Sequence, residues 1–164
     1  MNNLFKIIMA IAMIGLISCG NDAQKEAKER REKKMAEKKA EKALDVPASK
    51  MIDFENKGIG PVSSLSLAET IDEEMVTRGH KLFKAKCSAC HKISKKFVGP
   101  SPKGVLERRS PEWVMNMILN PDEMVSKDPL AKKLLFEFNG SPMANQNLTE
   151  EEARDILEYF RTLK

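Results

Sequence analysis

The sequence predicts an all-α domain that follows a long N-terminal segment. Helix-capping residues recur in the second half of the chain, apolar residues repeat there at helical spacing, and no run alternates between polar and apolar residues as a half-buried strand would. The folded part is expected within residues 47–164, since residues 1–46 are largely apolar and then largely charged. That length suits one small core and excludes a two-domain enzyme or an α/β barrel.

Residues 1–18 predict an export signal. Lys6 precedes a twelve-residue apolar run, Ile7–Ser18, which has the length of a signal-peptide core but is too short to span a bilayer as a helix. The alternative, a buried strand or helix before a chance cysteine, is weaker because the charge, the position and the polar stretch that follows all fit export. The run ends in Leu16-Ile17-Ser18-Cys19, which resembles the lipobox of bacterial lipoproteins.

The lipobox resemblance implies cleavage before Cys19 and diacylation of its thiol. Two acyl chains give stable membrane anchoring, whereas a single chain gives only marginal binding. The expected location is therefore the cell envelope, as a membrane lipoprotein that faces the periplasm. Gly20 is not the Asp often associated with inner-membrane retention, so the sequence leaves open whether the inner or the outer membrane holds the chain.

Residues 19–46 are expected to form the lipidated cysteine and a solvated, charged tether. Residues 25–43 contain no Gly, Pro or aromatic residue, and the pairs Glu26–Arg30 and Glu29–Lys33 have the spacing that supports an exposed helix. The small side chain of alanine, the main apolar residue there, is a poor choice for the core of a coiled coil. The tether is therefore predicted to be a spacer.

Residues 47–69 predict an irregular lead-in, because glycine, proline and several serines occur among them. Residues 70–164 are expected to form the domain itself. Acids in the first turn after Thr70, the Ser110-Pro111 pair, and the Thr149 capping box mark helix starts, and Asn139-Gly140 marks a helix end. The predicted helices are Thr70–Lys86, Pro111–Leu119, Pro129–Phe138 and Ala153–Leu163.

The most informative motif is Cys87-Ser88-Ala89-Cys90-His91. The spacing C-x-x-C-H is typical of c-type haem attachment, in which the two thiols bind the porphyrin and the histidine becomes the proximal iron ligand. A thioredoxin-like redox pair is expected inside a βαβ unit, whereas this motif follows a helix. A structural zinc site needs four ligands, and only His80 remains to complete one. A plain disulfide leaves the histidine unexplained.

The count of three cysteines agrees with haem c, since Cys19 is assigned to lipid and the other two to one haem. Cys87 and Cys90 are thus the predicted covalent attachment sites and His91 the predicted proximal ligand. Export agrees as well, because c-type haem is attached outside the bacterial inner membrane.

Three segments resemble class I cytochromes c, over about Asp72–Lys164. They are residues 79–83 before the cysteine motif, Val98-Gly99-Pro100, and residues 155–160. The resemblance implies the cytochrome c fold, with helices wrapped around one covalently bound haem c. It also implies that the first and last helices cross, with Gly79 and Phe83 against Tyr159. A glycine inside a helix costs about 1 kcal/mol relative to alanine, so a close approach would explain Gly79.

The resemblance implies an axial methionine as sixth iron ligand, in a loop before the last helix. Met143 lies in such a loop and is the predicted distal ligand. Met124 is the weaker alternative, while Met115 and Met117 lie inside a predicted helix and are expected in the core. A thioether favours ferrous iron, so His/Met ligation raises the reduction potential. His80 is expected to be a surface residue.

Four further residues are implied as haem environment. The Pro100 carbonyl is expected to accept a hydrogen bond from the ring N–H of His91 that does not face the iron, which orients the ring. Trp113 and Arg108 or Arg109 are candidates for contacting the haem propionates. For Trp113, ordinary core packing is an equally good alternative.

Charge within the domain is unevenly distributed. From Lys81 to Arg109 there are nine basic residues and one acid, Glu107. This segment adjoins the haem motif and is expected to steer encounter with an acidic docking surface on a terminal oxidase or periplasmic reductase. A solvated face without a partner is the alternative. Most of the net charge of +4 comes from residues before the domain, so nucleic-acid binding is not expected.

The sequence therefore predicts a single-electron carrier of a bacterial envelope respiratory chain, which cycles one haem between Fe(III) and Fe(II). Enzymatic activity is not expected, because both axial positions of the iron are filled. The alternative is a haem sensor, or a small-ligand-binding or peroxidatic haem protein, with a labile sixth ligand.

Overall fold

The computed structural model describes residues 24–35 and 46–164. The chain divides into two units, Met1–Val46 and Pro47–Lys164. The predicted signal peptide, the predicted lipid site Cys19 and the rest of the tether lie outside the described residues. Within the described ranges, no helix is both long and apolar enough to cross a bilayer.

Residues 24–35 form helix α1, and all of them are exposed to solvent. One ion pair lies on this helix, between Lys28 Nζ and Glu32 Oε1 at 3.9 Å. It has the spacing of the predicted pairs Glu26–Arg30 and Glu29–Lys33 but joins different residues. Since no side chain of α1 is buried, its stability depends on local propensity and such pairs, each of which contributes about 0.2–0.5 kcal/mol.

The Pro47–Lys164 unit is built from helices. It contains α2 (Glu73–Leu82), α3 (Pro111–Leu119), α4 (Pro121–Lys127), α5 (Pro129–Glu137) and α6 (Glu150–Arg161). Helix α2 continues into a π-helical turn, and 3₁₀ turns occur at Ala48–Lys50 and Val105–Glu107. Strand-like pairing in the described residues is limited to two isolated bridges. The predicted all-α class is therefore confirmed.

Two helix starts follow the local capping chemistry. Ser110 Oγ accepts the backbone N–H of Trp113, and a proline occupies the first position of α3. Thr149 and Glu152 exchange side-chain to backbone hydrogen bonds and form the capping box of α6. Both caps satisfy backbone donors that the first turn of a helix leaves unpaired. Both predicted N-caps are confirmed.

Other helix boundaries differ from the prediction. Helix α5 ends at Glu137 rather than Phe138, and α6 spans Glu150–Arg161 rather than Ala153–Leu163. Helix α2 begins at Glu73 rather than Thr70, because the Asp72 carboxylate accepts two backbone N–H groups of the first turn. Helix α4 was not predicted. Asn120 ends α3 as expected, but the next residue, Pro121, fits the first turn of a new helix, where its missing N–H is not needed.

Helices α2 and α6 cross near the cysteine motif. Gly79 is buried where the two helices meet. Around it, the rings of Phe83 and Tyr159 have centroids 5.8 Å apart. Arg78 donates two hydrogen bonds of 2.8 Å to the Asp155 carboxylate. The predicted contact between the first and last helices is present, and it places the end of α2 beside α6.

The lead-in is irregular, yet it contacts the domain at several points along its length. The side chain of Asn116 on α3 accepts the N–H of Val62 and donates to the Val62 carbonyl, each at 2.9 Å. Met124 on α4 is fully buried, and its Sδ accepts the N–H of Ile59 at 3.0 Å. The lead-in therefore covers α3 and α4 and shares their core.

Candidate haem site

A cavity of about 230 Å³ lies in the Pro47–Lys164 unit. It is bounded by the end of α2, by α3, α5 and α6, and by loops at residues 98–102 and 141–146. Its walls are largely apolar, which suits a flat hydrophobic group rather than a hydrated one. The apolar side chains in these walls include Phe83, Val114, Ile118, Leu134, Phe138, Ile156 and Phe160.

The cysteine motif forms one side of this cavity. Helix α2 widens into the π-helical turn Phe83–Cys87, a rare geometry that occurs frequently at functional sites. Cys87 and Cys90 both line the cavity, and the His91 backbone N–H donates to the Cys87 carbonyl at 2.9 Å. Burial, with a smaller contribution from Cys90, raises the pKa of the Cys87 thiol.

The His91 ring is held by the loop that follows the motif. Nδ1 lies 2.8 Å from the Pro100 carbonyl oxygen, the hydrogen bond that the family resemblance implies. Because a carbonyl only accepts, this contact assigns the ring proton to Nδ1 and leaves Nε2 as a lone-pair donor. A Cβ atom on Gly99 would lie 2.4 Å from His91 Cε1, so only glycine permits this close approach.

Two methionines line the cavity. Met143, the predicted distal ligand, is half-buried in the loop before α6. Met117, which was expected in the core, is also half-buried and lines the cavity from α3. Met124, the weaker alternative, does not line the cavity, and Met115 lies in the core as expected. The cavity lining therefore disfavours Met124 as the distal ligand and makes Met117 an alternative to Met143.

Trp113, Arg108 and Arg109 all line the cavity. The Trp113 indole N–H, however, donates to Asp128 Oδ1 at 3.2 Å. Its single donor is therefore engaged within the core, which favours core packing, the alternative stated for Trp113, over a hydrogen bond to a propionate. Arg108 donates to the Lys103 carbonyl near the surface, whereas Arg109 is buried.

Sequence reasoning missed the contributions of the lead-in and of α5. Ser49, in the 3₁₀ turn Ala48–Lys50, lines the cavity as Arg109 does, and no local pattern distinguishes it from the other serines nearby. Leu134 and Phe138 do carry a signal, because their spacing of four residues gives α5 an apolar face. His80, expected at the surface, is exposed and stacks on Tyr159 at 5.0 Å between ring centroids.

The donor set suits a covalently bound haem. Two thiols, an imidazole with a free Nε2 lone pair and a thioether lie on the walls of one apolar cavity. The glycine at position 99 leaves room for the imidazole to stand against the loop. Sulfur and imidazole ligands are those that haem iron takes in electron-transfer proteins.

Comparisons with known proteins agree with this geometry. The Cytochrome c family model matches residues 76–164. Cytochrome c-551 of Ectopseudomonas mendocina is 34% identical over 91 residues, which are 52% of this chain and 98% of that protein. The structure of cytochrome c from Rhodothermus marinus is 39% identical and has a TM-score of 0.62, with 71% of this chain and 93% of that chain covered.

An engineered form of the Rhodothermus marinus cytochrome, bound to a carbene intermediate, is likewise 39% identical with a TM-score of 0.59; 71% of this chain and 94% of that one are covered. Proteins of this family bind haem c covalently through the C-x-x-C-H motif and use it to carry electrons. With a family match over more than half of its length, the chain belongs to the cytochrome c family, with haem c as its cofactor and electron transfer as its function.

Proposed function

We propose that this chain is a lipid-anchored, mono-haem cytochrome c that carries single electrons in the respiratory chain of a bacterial envelope, on its periplasmic side. One observation carries the proposal: a single apolar cavity is lined by Cys87, Cys90, the His91 imidazole and the Met143 thioether. His91 and Met143 would hold the iron as proximal and distal ligands. No substrate position remains, so we propose no catalysed reaction.

The chain's own residues set the properties of the redox centre. The haem supplies a one-electron Fe(III)/Fe(II) couple. The hydrogen bond from His91 Nδ1 to Pro100 holds the imidazole in place and strengthens its donor nitrogen. The Met143 thioether stabilises the ferrous state and so raises the potential. The apolar side chains around the cavity limit the access of water, which also favours the less charged ferrous iron.

A basic surface lies beside the cysteine motif. It favours a redox partner with an acidic docking surface, such as a terminal oxidase or a periplasmic reductase. Its lysines are Lys84, Lys86, Lys92, Lys95 and Lys96. Phe97 and Val98, next to them, are 49% and 44% exposed, and Lys92 Nζ lies 5.0 Å from the Phe97 ring centroid. A small apolar patch within a cationic rim suits brief docking, because complementary charge accelerates encounter while little apolar area is buried.

Lipid anchoring rests on the lipobox at residues 16–19 and on the exposed helix 24–35, which has the character of a spacer. We expect the wild-type chain to sediment with membranes and Cys19→Ala to appear in the soluble envelope fraction, or to remain unprocessed, with its haem intact. Ser18→Ala keeps a small residue before the cysteine and serves as control. Membrane attachment of Cys19→Ala with its lipid labelling unchanged would exclude this anchor.

Absorption spectroscopy tests the ligation. Ferric protein matured with haem should show the weak band of sulfur–iron ligation and undergo a reversible one-electron titration. Carbon monoxide should leave the ferrous spectrum unchanged. Absence of the sulfur–iron band, together with immediate binding of carbon monoxide, would contradict the carrier with two protein ligands.

The loop that holds Met143 favours one alternative function. Among the described residues, the backbone of residues 142–148 makes no hydrogen bond to another backbone group. The longest-range hydrogen bond of this loop is made by a side chain: Asn145 Nδ2 donates to the Leu119 carbonyl at 3.3 Å. A ligand on so lightly held a loop can leave the iron at small cost. The second candidate is therefore a haem protein that binds a small ligand or peroxide, and it predicts the carbon monoxide adduct described above.

A further inference from the structure

Arg109 is a buried cation in the wall of the haem cavity. Only 3% of the residue is exposed, yet no carboxylate of the described residues lies within ion-pair distance of its guanidinium. Burial also lowers the pKa of Arg109. The carboxylates of Asp53, Asp128 and Glu137 act on the guanidinium only from beyond ion-pair distance and offset its burial in part, so a further anionic group in contact with it would be stabilising. Arg109 lines the haem cavity, and the haem itself carries two carboxylates.

The lead-in fixes the orientation of this guanidinium. Nη1 of Arg109 donates to the carbonyls of Met51 and Arg108, and Nη2 donates to the carbonyl of Ala48. The guanidinium carbon lies 5.3 Å from the centroid of the Trp113 ring. Three carbonyls and one ring thus hold the group, and two of the carbonyls belong to the lead-in.

Ser49 fastens this part of the lead-in to α5. Its backbone N–H donates to Glu137 Oε2 at 2.8 Å, and its hydroxyl donates to Glu137 Oε1 at 2.5 Å. Ser49 follows directly after Ala48 and itself lines the cavity. The contact therefore holds the turn in place, and it also engages a carboxylate that would otherwise be free to approach Arg109.

We propose that the segment Ala48–Met51, here called the lead-in turn, is part of the haem site and positions Arg109 beside a haem carboxylate, so that it raises the reduction potential. The inference rests on the proposed function, in which Arg109 contacts the haem as part of its environment. The turn lies before residues 76–164, the part that matches the family.

The direction of the effect follows from electrostatics. A fixed positive charge near the haem favours the ferrous state, which carries one positive charge less than the ferric state. If the lead-in turn loosens, Arg109 loses two acceptors and moves, or Glu137 is released and pairs with it. Both changes reduce the positive field at the haem and lower the potential.

The test measures midpoint potentials of the full-length holoprotein by spectroelectrochemical titration. We expect Arg109→Gln to shift the ferrous–ferric equilibrium on the order of tenfold toward the ferric state, because it removes a unit positive charge beside the haem; tenfold is about 59 mV for one electron. Ser49→Ala should lower the potential by less than Arg109→Gln does, because the turn loosens while the charge of Arg109 remains. Ser63→Ala, an exposed serine elsewhere in the lead-in, is the control and should leave it unchanged.

The double variant decides whether the turn acts through Arg109. In the Arg109→Gln background, Ser49→Ala should no longer move the potential, because coupled positions are non-additive. An equal shift in both backgrounds, or no shift from Ser49→Ala, overturns the positioning role and leaves the Arg109 contact standing. If neither Arg109→Gln nor the milder Arg109→Lys changes the potential, the contact between Arg109 and the haem is contradicted as well. The electron-carrier function is tested separately, by the sulfur–iron band that Met143 ligation predicts.

Discussion

A Cβ atom built on Gly79 would lie 2.0 Å from the carbonyl oxygen of Asp155. Real Cβ atoms essentially never approach another heavy atom closer than 3.0 Å, and the atom in the way belongs to the backbone of α6. Glycine is therefore the residue that lets α2 and α6 touch. Because α2 ends in the cysteine motif, this crossing sets where the haem is attached relative to the last helix.

We expect Gly79→Ala to lower the free energy of unfolding of the holoprotein by about 2 kcal/mol, despite a gain of about 1 kcal/mol in helix propensity. The reason is that the two helix backbones must separate. Denaturant unfolding measures the change. Thr77→Ala on the exposed side of α2 is the control, with an expected change within about 0.5 kcal/mol. A stability equal to that of the wild type would show that the crossing is wrongly placed.

Capping residues made much of the fold predictable. Ser110 and Thr149 act through contacts within three residues, so their sequence neighbourhood already contains the chemistry that starts α3 and α6. Thr70 and Asp72 are both good N-caps, and the choice between them depends on distant contacts. The Asp72 N–H donates to Glu158 on α6, 86 residues away. Such long-range contacts leave no local pattern.

Glu158 is the centre of a buried charge network. It is 1% exposed, and its carboxylate accepts hydrogen bonds from Arg154 and Arg161, each at 2.6 Å. Burial by itself would raise its pKa, but the hydrogen bonds from Arg154 and the Asp72 N–H, with the charges of both arginines, outweigh burial and hold the pKa below its ordinary value. The carboxylate therefore stabilises the fold when it is charged.

We expect Glu158→Gln to destabilise the protein by about 2 kcal/mol at pH 7. The loss is smaller than for breaking a fully buried ion pair, because the side chains of Arg154 and Arg161 are 19% and 14% exposed. The contribution is present above the unfolded pKa of about 4.3 and is lost as the pH falls through the lower folded pKa. The variant should therefore lose less stability than the wild type between about pH 5 and pH 3.

Unfolding titrations at a series of pH values measure this difference. Glu74→Gln is the matched control, because Glu74 is 92% exposed and 4.0 Å from Arg78, so its change should be small. If the free energy of unfolding fell equally with decreasing pH in the wild type and in Glu158→Gln, the lowered pKa of Glu158 would be contradicted.

The covalent attachment is tested by the two thiols. Cys87→Ala or Cys90→Ala should leave at most one thioether bond and weaken haem retention, and the double variant should release its haem on acid–acetone extraction. The ratio of haem absorbance in the protein pellet to that in the extract measures this. The double variant Cys87→Ala/Cys90→Ala bound covalently to haem would contradict the C-x-x-C-H assignment. Met124→Leu, a change away from the cavity, is the control.

The site was predictable where its residues are adjacent and unpredictable where they are not. Cys87, Cys90 and His91 form one spacing, so their chemistry is contained in five residues. The position of Met117 inside a predicted helix favours the core, because a helical position does not show which neighbour the side chain will face. Ser49 reaches the cavity through its contact with Glu137, 88 residues away. The lead-in contacts therefore became visible only in the structure.

Two of the described methionines, Met143 and Met117, line the cavity, and the sixth ligand is to be decided between them. Met143 lies on a loop with few backbone restraints, so it can turn toward the iron, whereas Met117 is fixed on α3. We expect Met143→Ala to lose the ferric sulfur–iron band and to bind carbon monoxide or cyanide. Met143→His should keep covalent haem with a substantially lower potential, because axial ligation moves haem potentials within about 0.8 V. Met117→Leu and Met124→Leu should retain the wild-type spectrum. Loss of the band in Met117→Leu and its retention in Met143→Ala would assign the ligand to α3 and leave the electron carrier intact.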